Sequence, residues 1–276
     1  MLVLLLAANL VTDPGAPWPG NIGMPRTMSM GDAQAAVASS NDAIMVNPAG
    51  LSQTRRYHFE LDGLYDAKFP AQDVFVSVVD SSSGPFGSGM LFSRFGAGQP
   101  DGRGEGWSFG FAYSGAIGQT LYLGGQTKFL HYHGPDGLTA KWAQDVGVLS
   151  RRGGFSWGAV IQNISLEKQV LFPLTATAGV AWGTDTDWHL AFDYKADLSD
   201  SSNVKSKAAL GGEVLVGEGL ALRGGATWDA TAHLWWASAG VGILTEKGGL
   251  QIVWRRRVSG TGFDQFFEAG LTLYLE

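Results

Sequence analysis

The chain has 276 residues, including 40 Gly, 10 Trp and no Cys, with a formal net charge of −6. Charged residues make up 16% of the chain, well below the quarter that is usual in a soluble domain. The negative net charge and the absence of a basic stripe argue against a nucleic-acid partner. No apolar run is long enough for a membrane-spanning helix, so the sequence excludes a helical bundle in a membrane.

The amino terminus, residues 1–12, is mostly apolar from Leu2 to Val11 and contains the small pair Ala7-Ala8. Its length and composition are typical of a secretory signal peptide, but no Lys or Arg precedes the apolar run. Two interpretations are open. Residues 1–12 are a truncated signal peptide, which we favour, or they are an ordinary apolar segment.

Residues 13–55 lack the alternating pattern of the rest of the chain. Pro and Gly at positions 14–20 predict a loop, and the Ala- and Met-rich stretch from Met28 to Ser40 predicts a short helix. The turn sequence Asn-Pro-Ala-Gly closes the segment at positions 47–50. We predict that residues 13–55 form a hatch, or plug, on the periplasmic side of the domain that follows.

Residues 56–276 repeat a two-residue rhythm. In one run Trp107, Phe109 and Phe111 alternate with small residues, so the strand has one apolar face and one small or polar face. About 14 such runs occur with no helical segment between them, and a soluble sandwich is disfavoured because too many strands carry aromatic residues on one face. We therefore predict an all-β fold, a transmembrane barrel of about 14 antiparallel strands with both termini in the periplasm.

The polar faces of these strands carry charges of both signs. The interpretation that we favour is a network of ion pairs across a poorly hydrated interior, and the alternative is a polar pore lining that selects solutes. The predicted interior charges are Glu60, Asp62, Asp66, Lys141, Asp145, Asp193, Lys195, Lys207, Glu213, Arg223, Arg255, Arg257 and Glu268.

The Trp residues fall mainly near the ends of the predicted strands, where an indole ring can lie at the level of the lipid headgroups. We predict that they form membrane girdles, and that membrane lipid is a partner of the chain. The residues are Trp18, Trp107, Trp142, Trp157, Trp182, Trp188, Trp228, Trp235, Trp236 and Trp254.

Motifs for catalysis or cofactor binding are missing from the sequence. No Gly-x-Ser-x-Gly nucleophile elbow and no phosphate-binding loop occurs. His131 and His133 have a spacing that can bind a metal, but no third ligand is evident. We therefore predict that the chain is not an enzyme and has no catalytic residues, metal or cofactor.

Three stretches resemble the FadL-like outer-membrane protein superfamily, with the closer similarity to its PorV-type branch. Members carry a Met- and Gly-rich stretch, acidic residues and then Asn-Pro-Ala before the first strand. The later stretches are Gly158–Asn163 and the pair Phe172–Thr175 and Ala178–Ala181. The first stretch provides the hatch motif Gly31, Asp32, Asp42, Asn47, Pro48, Ala49 and Gly50.

The resemblance implies a hatch folded into the barrel, with the Asn-Pro-Ala-Gly turn as its anchor. A purely structural role for this motif is favoured over contact with a solute. The implied function is a passive channel in the outer membrane of a Gram-negative bacterium for small hydrophobic or amphipathic solutes, with a lipid-like or hydrophobic molecule as ligand. The long outer loops of fatty-acid channels have no counterpart here, which puts long-chain fatty-acid uptake in doubt. The alternative is a structural barrel that docks other envelope proteins for secretion or motility.

Overall fold

The computed structural model describes residues 23–67, 71–97, 105–134, 137–166, 171–260 and 264–275. Within these ranges fourteen antiparallel strands form one closed barrel, which confirms the predicted fold class. The proposed signal peptide and Trp18 lie outside the described residues. The strands are β1 Tyr57–Asp66, β2 Ala71–Asp80, β3 Phe86–Ala97, β4 Gly106–Ile117, β5 Leu121–Gly134, β6 Gly137–Arg152, β7 Phe155–Gln162, β8 Thr175–Gly183, β9 Trp188–Asp197, β10 Lys205–Val216, β11 Leu220–Asp229, β12 Leu234–Thr245, β13 Gly248–Arg257 and β14 Gln265–Leu275.

The barrel closes through the pairing of β1 with β14, in which Tyr57 lies opposite Leu275. The first strand therefore begins, and the last strand ends, at one rim, which we call the turn end. Tight connections lie there, such as residues 153–154 between β6 and β7. The opposite rim, the loop end, carries the connections that follow odd-numbered strands. The longest of these is 163–174, whereas the sequence favoured 96–106, because β3 continues to Ala97 and shortens that loop.

The outer surface of the barrel is apolar along the strands. On β9 the side chains of Trp188, Leu190 and Phe192 are exposed, whereas those of His189 and Asp193 are buried inside. An apolar surface of this extent is unfavourable in water and suits the hydrocarbon region of a bilayer. The alternation therefore assigns the exterior to lipid and the interior to a polar lumen.

No helix in the described ranges is long and apolar enough to span a membrane.

The hairpin of β5 and β6 projects beyond its neighbours at the loop end. Pairing of β6 with β7 begins only at Val146, so the first residues of β6 are bonded to β5 alone. Lys141 lies in this projecting part and is exposed. Lys141 has the same strand parity as buried Ala143 and Asp145, but strand parity assigns a face of the hairpin and not its height, so Lys141 lies on that face beyond the rim.

The N-terminal segment, residues 23–56, lies inside the barrel. It contains the helices α1 (Pro25–Ser29) and α2 (Asp42–Val46) and a 3₁₀ helix at Pro48–Ser52. The prediction of one helix within 28–40 was wrong. Gly31 and Asp32 adopt φ values of 62° and 71°, a left-handed backbone conformation that ends α1.

The prediction that every Trp belongs to a membrane girdle was also wrong. Trp236 is 2% exposed and faces the lumen, where its ring lies 5.8 Å from that of Phe266. The neighbouring Trp235 is exposed on the outer surface. Adjacent residues of a strand point to opposite faces, so only one of this pair can reach lipid.

Candidate functional site: the barrel lumen

Glycines in the barrel wall let the N-terminal segment approach the strands closely. A Cβ atom at Gly211 of β10 would lie 2.1 Å from the carbonyl oxygen of Met30, and one at Gly158 of β7 would lie 2.0 Å from that of Ala35. Any larger side chain at either position would collide with backbone. The segment and the wall are therefore in direct contact near the middle of these strands.

Asn47, from the predicted hatch motif, joins the N-terminal segment to β6. Its Nδ2 donates to the carbonyl oxygens of Ala35 at 2.9 Å and Val148 at 3.1 Å, and its Oδ1 accepts from the backbone N–H of Ala49 at 3.2 Å. The side chain is completely buried. The side-chain amide of Asn47 therefore links two parts of the N-terminal segment to each other and to β6 of the wall.

We expect Asn47→Ala to loosen the N-terminal segment without dismantling the barrel. The change leaves two buried carbonyl oxygens and one N–H without these bonds, at a cost of about 2–4 kcal/mol in total. Limited proteolysis in detergent should cut the segment faster, whereas the barrel should keep its resistance to SDS at room temperature. Asn203→Ala, in an exposed loop, is the control and should behave as wild type. Equal cleavage of the two variants would contradict the assigned role of Asn47.

The other residues of the hatch motif lie in different surroundings. Pro48, Ala49 and Gly50 open the 3₁₀ helix and are buried, and Gly50 lies against the carbonyl group of Ala38. Asp42 is buried in α2, where Thr27 donates a hydrogen bond of 2.9 Å to it and burial raises the pKa of its carboxyl group.

Glu213 of β10 is the centre of an ion-pair network that reaches from the wall to the N-terminal segment. Arg26 of α1 donates to both of its oxygens, each at 3.2 Å, and Arg223 of β11 also donates to it. Arg223 bonds Gln251 of β13 at 2.6 Å. Burial alone would lower the pKa of Arg26, but the carboxylates of Glu213 and Asp42 raise it, so this guanidinium is charged.

Asp193 of β9 binds the backbone of the N-terminal segment. Its Oδ2 accepts the N–H groups of Gln34 at 2.8 Å and Ala35 at 2.7 Å. Four strands farther along the wall, Arg255 of β13 donates to Asp32 at 2.8 Å. Both of these predicted interior charges therefore hold the segment in place.

Several predicted charges pair with residues that the sequence analysis missed. Lys128 bonds Asp145 at 2.7 Å, and Asp145 also accepts the backbone N–H of Asn163 at 2.8 Å. The parity of β5 would have revealed Lys128, because Gln126 and Leu130 on the same face are buried. The other two pairs are Lys207 with Asp229 at 3.2 Å and Arg257 with Asp264 at 2.9 Å.

An acidic strip lies on the wall formed by β1 and β14. Glu60, Asp62 and Glu268 are each at most 3% exposed, and no ion pair within the described ranges includes any of them. Both carboxylate oxygens of Asp62 and of Glu268 are without a hydrogen-bond partner among these residues. The interior charges are therefore only partly paired, in contrast to the complete network favoured by the sequence.

The lumen contains a cavity of ≈ 70 Å³ between the N-terminal segment and the loop-end half of the wall. Met45 and Val46 of the segment provide apolar surface. The charged side chains that line the cavity are those of Asp32, Asp193, Lys195, Lys207 and Arg255. Lys195 and Lys207 are half-buried. Of the predicted hatch motif, only Asp32 reaches this space.

An apolar cluster narrows the lumen at the loop end. Leu166, Leu171 and Phe172 of the 163–174 connection pack with buried residues of β3, β5 and β6, and the ring of Phe172 lies 5.0 Å from that of Tyr132. The backbone carbonyl of Pro173 accepts a hydrogen bond of 2.8 Å from Asn163 Nδ2. The connection is thus folded inward over the lumen.

Within the part of the chain that the structure describes, no three His, Asp or Glu side chains are arranged to hold a metal ion.

Solved structures of other proteins share this architecture. The toluene transporter TbuX of Ralstonia pickettii aligns with a TM-score of 0.65 and 13% identity over 92% of this chain and 98% of its own. The monoaromatic hydrocarbon channel CymD aligns with a TM-score of 0.66 and 12% identity over 92% and 98%. A FadL homologue of Pseudomonas aeruginosa aligns with a TM-score of 0.61 and 10% identity, over 91% of this chain and 98% of its own. The chain has the fold of the FadL-like channels.

At these identities the likeness is one of fold. No protein-family model and no curated protein matches the sequence. An identity of 10–13% does not carry the side chains of the lumen from one protein to another. The chemistry of any solute must therefore be argued from the residues of this chain.

Proposed function

We propose that this protein is a passive channel of the bacterial outer membrane for small hydrophobic or amphipathic solutes. One observation carries the proposal: the barrel is closed and wide, and its lumen is filled by a separate segment rather than by the side chains of the wall. A barrel of about eight strands is filled by its own side chains, whereas wider barrels leave room for a channel or a plug. A plug attached by side-chain contacts can move without disturbing the strands.

The attachments of the N-terminal segment support its role as a hatch. It is bound to the wall through Asn47, Asp193, Arg255 and Glu213, all by side chains, and none of its residues joins the sheet. The same fold serves TbuX and CymD, whose names describe the passage of toluene and monoaromatic hydrocarbons. We place both termini in the periplasm, because the short connections of such barrels lie on that side.

The PorV-type stretches have a structural explanation that does not require a secretion partner. Gly158 makes room for Ala35, and Asn163 bonds the carbonyl of Pro173. Docking to an envelope machine is therefore the second candidate function. The observations that favour it are the ion pairs and the inward-folded 163–174 connection, because both close the lumen.

A flux measurement separates the two functions. Full-length protein in liposomes should admit small solutes in a swelling assay and should give discrete current steps in a planar bilayer. A barrel that is sealed to every small solute, and that co-purifies with another envelope protein in fixed proportion from mild detergent, would overturn the channel and support docking. A non-enzymatic role follows from the channel proposal.

A further inference from the structure

The acidic strip on β1 and β14 is enclosed by apolar side chains. Asp62 lies opposite Phe75 of β2, and Glu268 lies opposite Leu64 of β1. Phe75 and Leu64 are buried, and Met24, which precedes α1, packs in the same apolar cluster. The strip therefore lies between the barrel wall and the N-terminal segment, away from water.

Pro25, the first residue of α1, lies beside the strip. Gly270 of β14 is the cross-strand partner of Asp62. A Cβ atom at Gly270 would overlap Asp62 Oδ1 and would lie 2.7 Å from Pro25 Cγ, so the carboxyl group and the proline ring both occupy the space over this glycine. The start of α1 is thus packed directly against a carboxyl group of the wall.

The cations on the neighbouring elements are committed to other partners. Arg26 of α1 binds Glu213 of β10. Arg255 of β13 binds Asp32 and Thr227, and Thr227 belongs to β11, so this guanidinium points away from β14. The strip is therefore buried without a cation of its own.

Hydrogen bonds do not compensate for this lack of cations. Both oxygens of Asp62 and of Glu268 are without a partner among the described residues, and Glu60 accepts a long bond of 3.4 Å from Gln251. The charged groups that act most strongly on Glu268 are also acids, namely Asp42, Glu60, Asp62 and Asp73. A carboxylate buried in this way is so unfavourable that the group takes up a proton. The strip is therefore neutral while the lumen is closed.

We propose that the acidic strip is a pH-sensitive clamp on the N-terminal segment, which rests on the channel function proposed above and adds its regulation. When protonated, the carboxyl groups tolerate apolar contact with Pro25 and Met24. When ionised, they repel one another and draw water to the wall, which displaces the start of α1. The closed lumen binds more protons than the open lumen, so a rise in pH favours opening.

Other titratable or charged groups face the strip from the elements around it. They are His58 and Asp66 of β1, Asp73 of β2, Arg255 of β13, Tyr274 of β14, and Arg26 and Asp42 of the N-terminal segment. His58 also joins the wall to the segment, because its Nδ1 lies 2.5 Å from Ser40 Oγ. An imidazole gains its charge as the pH falls, so opening caused by His58 would have the opposite sign.

The conductance of the full-length protein in a planar bilayer tests the clamp. In wild type it should rise at least about tenfold between about pH 6 and about pH 9, because each proton released on opening shifts the equilibrium by up to about tenfold per pH unit. The double variant Asp62→Asn/Glu268→Gln, which is neutral at these positions at every pH, should stay closed over the whole range. Glu246→Gln, in the exposed turn after β12, is the matched control and should respond as wild type.

The slope with pH, rather than the conductance at one pH, is the readout that a purely structural role of Asp62 and Glu268 would not change. A wild-type slope in the double variant, or opening of wild type as the pH falls, would overturn the clamp while leaving the channel intact. Infrared spectra in D₂O give a second measurement. Wild type at neutral pH should show the band of protonated carboxyl groups, weaker in the double variant, and its absence from wild type would contradict a neutral strip.

Limited proteolysis of the N-terminal segment reports the clamp without any need for conduction. Cleavage of wild type, relative to the double variant at the same pH, should accelerate as the pH rises. Such acceleration in a barrel that conducts nothing at any pH would retain the clamp and overturn the channel. A barrel that conducts equally at every pH, with a segment that is cleaved equally, would retain the channel and overturn the clamp.

Discussion

Gly211→Val should expel the N-terminal segment from the lumen and open the barrel. The new Cβ would lie 2.1 Å from the carbonyl oxygen of Met30 and 2.8 Å from its Cβ, and backbone atoms cannot rotate away from such an overlap. The wall cannot easily yield, because β10 pairs with β9 at Ala191 and with β11 at Gly225 at this position. The segment is held by side-chain hydrogen bonds and apolar packing and not by a strand ladder, so we expect it to be the partner that moves.

The measurement compares the single-channel conductance of Gly211→Val with that of wild type. We expect the conductance to rise at least about tenfold, because a barrel of this width has an aqueous lumen when nothing fills it. Gly63→Val is the matched control: Gly63 faces outward, and a Cβ there meets nothing within 4 Å. Proteolysis of the segment should accelerate in parallel with the conductance. A folded Gly211→Val barrel with wild-type conductance and a protected segment would show that β10, not the segment, adapts.

Strand alternation allowed the barrel to be predicted, because that signal is local. Phe192 and Asp193 belong to opposite faces wherever the chain continues as a strand, and fourteen repetitions of this pattern determine both the exterior and the lumen. The same parity placed Glu213, Arg223 and Arg255 inside, where the structure has them. A closed sheet follows from the need to pair every backbone N–H and C=O group within a bilayer.

The partners of those charges could not be predicted, because they depend on positions far apart in the sequence. Arg26 and Glu213 are 187 residues apart, and Arg255 meets Asp32 across 223 residues. Local patterns also misassigned the N-terminal segment, where small residues indicated a helix. In the structure Ala33, Ala35 and the residues around them are fully buried because they let the backbone approach the glycines of the wall, and a helix would hold that backbone away.

The cavity itself has no sequence signature. Met45, Lys195 and Arg255 line one space only because the N-terminal segment folds against the loop-end half of the wall, where Arg255 binds Asp32 and Gln162 binds the carbonyl oxygen of Met45. The similar solved structures share the barrel at an identity of 10–13%, so the likeness is one of fold and does not extend to individual side chains. Channels for different solutes can share one fold, and their selectivity then depends on the inward-facing side chains.

Glu213→Leu should be the most destabilising single change in the lumen. It leaves Arg26 and Arg223 buried without their common carboxylate, and the loss of one member of a buried ion pair costs about 3–5 kcal/mol. We expect a lower midpoint of urea unfolding, measured by Trp fluorescence in detergent, and a leaky barrel, since Arg26 belongs to the N-terminal segment. Glu218→Leu, in the exposed turn after β10, is the control and should change the free energy of unfolding by less than about 0.5 kcal/mol.

The double variant Arg26→Leu/Glu213→Leu tests whether the penalty comes from the uncompensated charge. Removing both partners takes one buried cation away with the anion, so the double variant should be more stable than Glu213→Leu alone, although Arg223 still lacks its carboxylate. The leak, in contrast, should persist, because the link between α1 and β10 is missing in both variants. Recovery of stability without recovery of the seal would show that this pair holds the hatch in place. Additive destabilisation by the two changes would mean that Arg26 and Glu213 contribute independently, and the assignment of the pair as an anchor would be wrong.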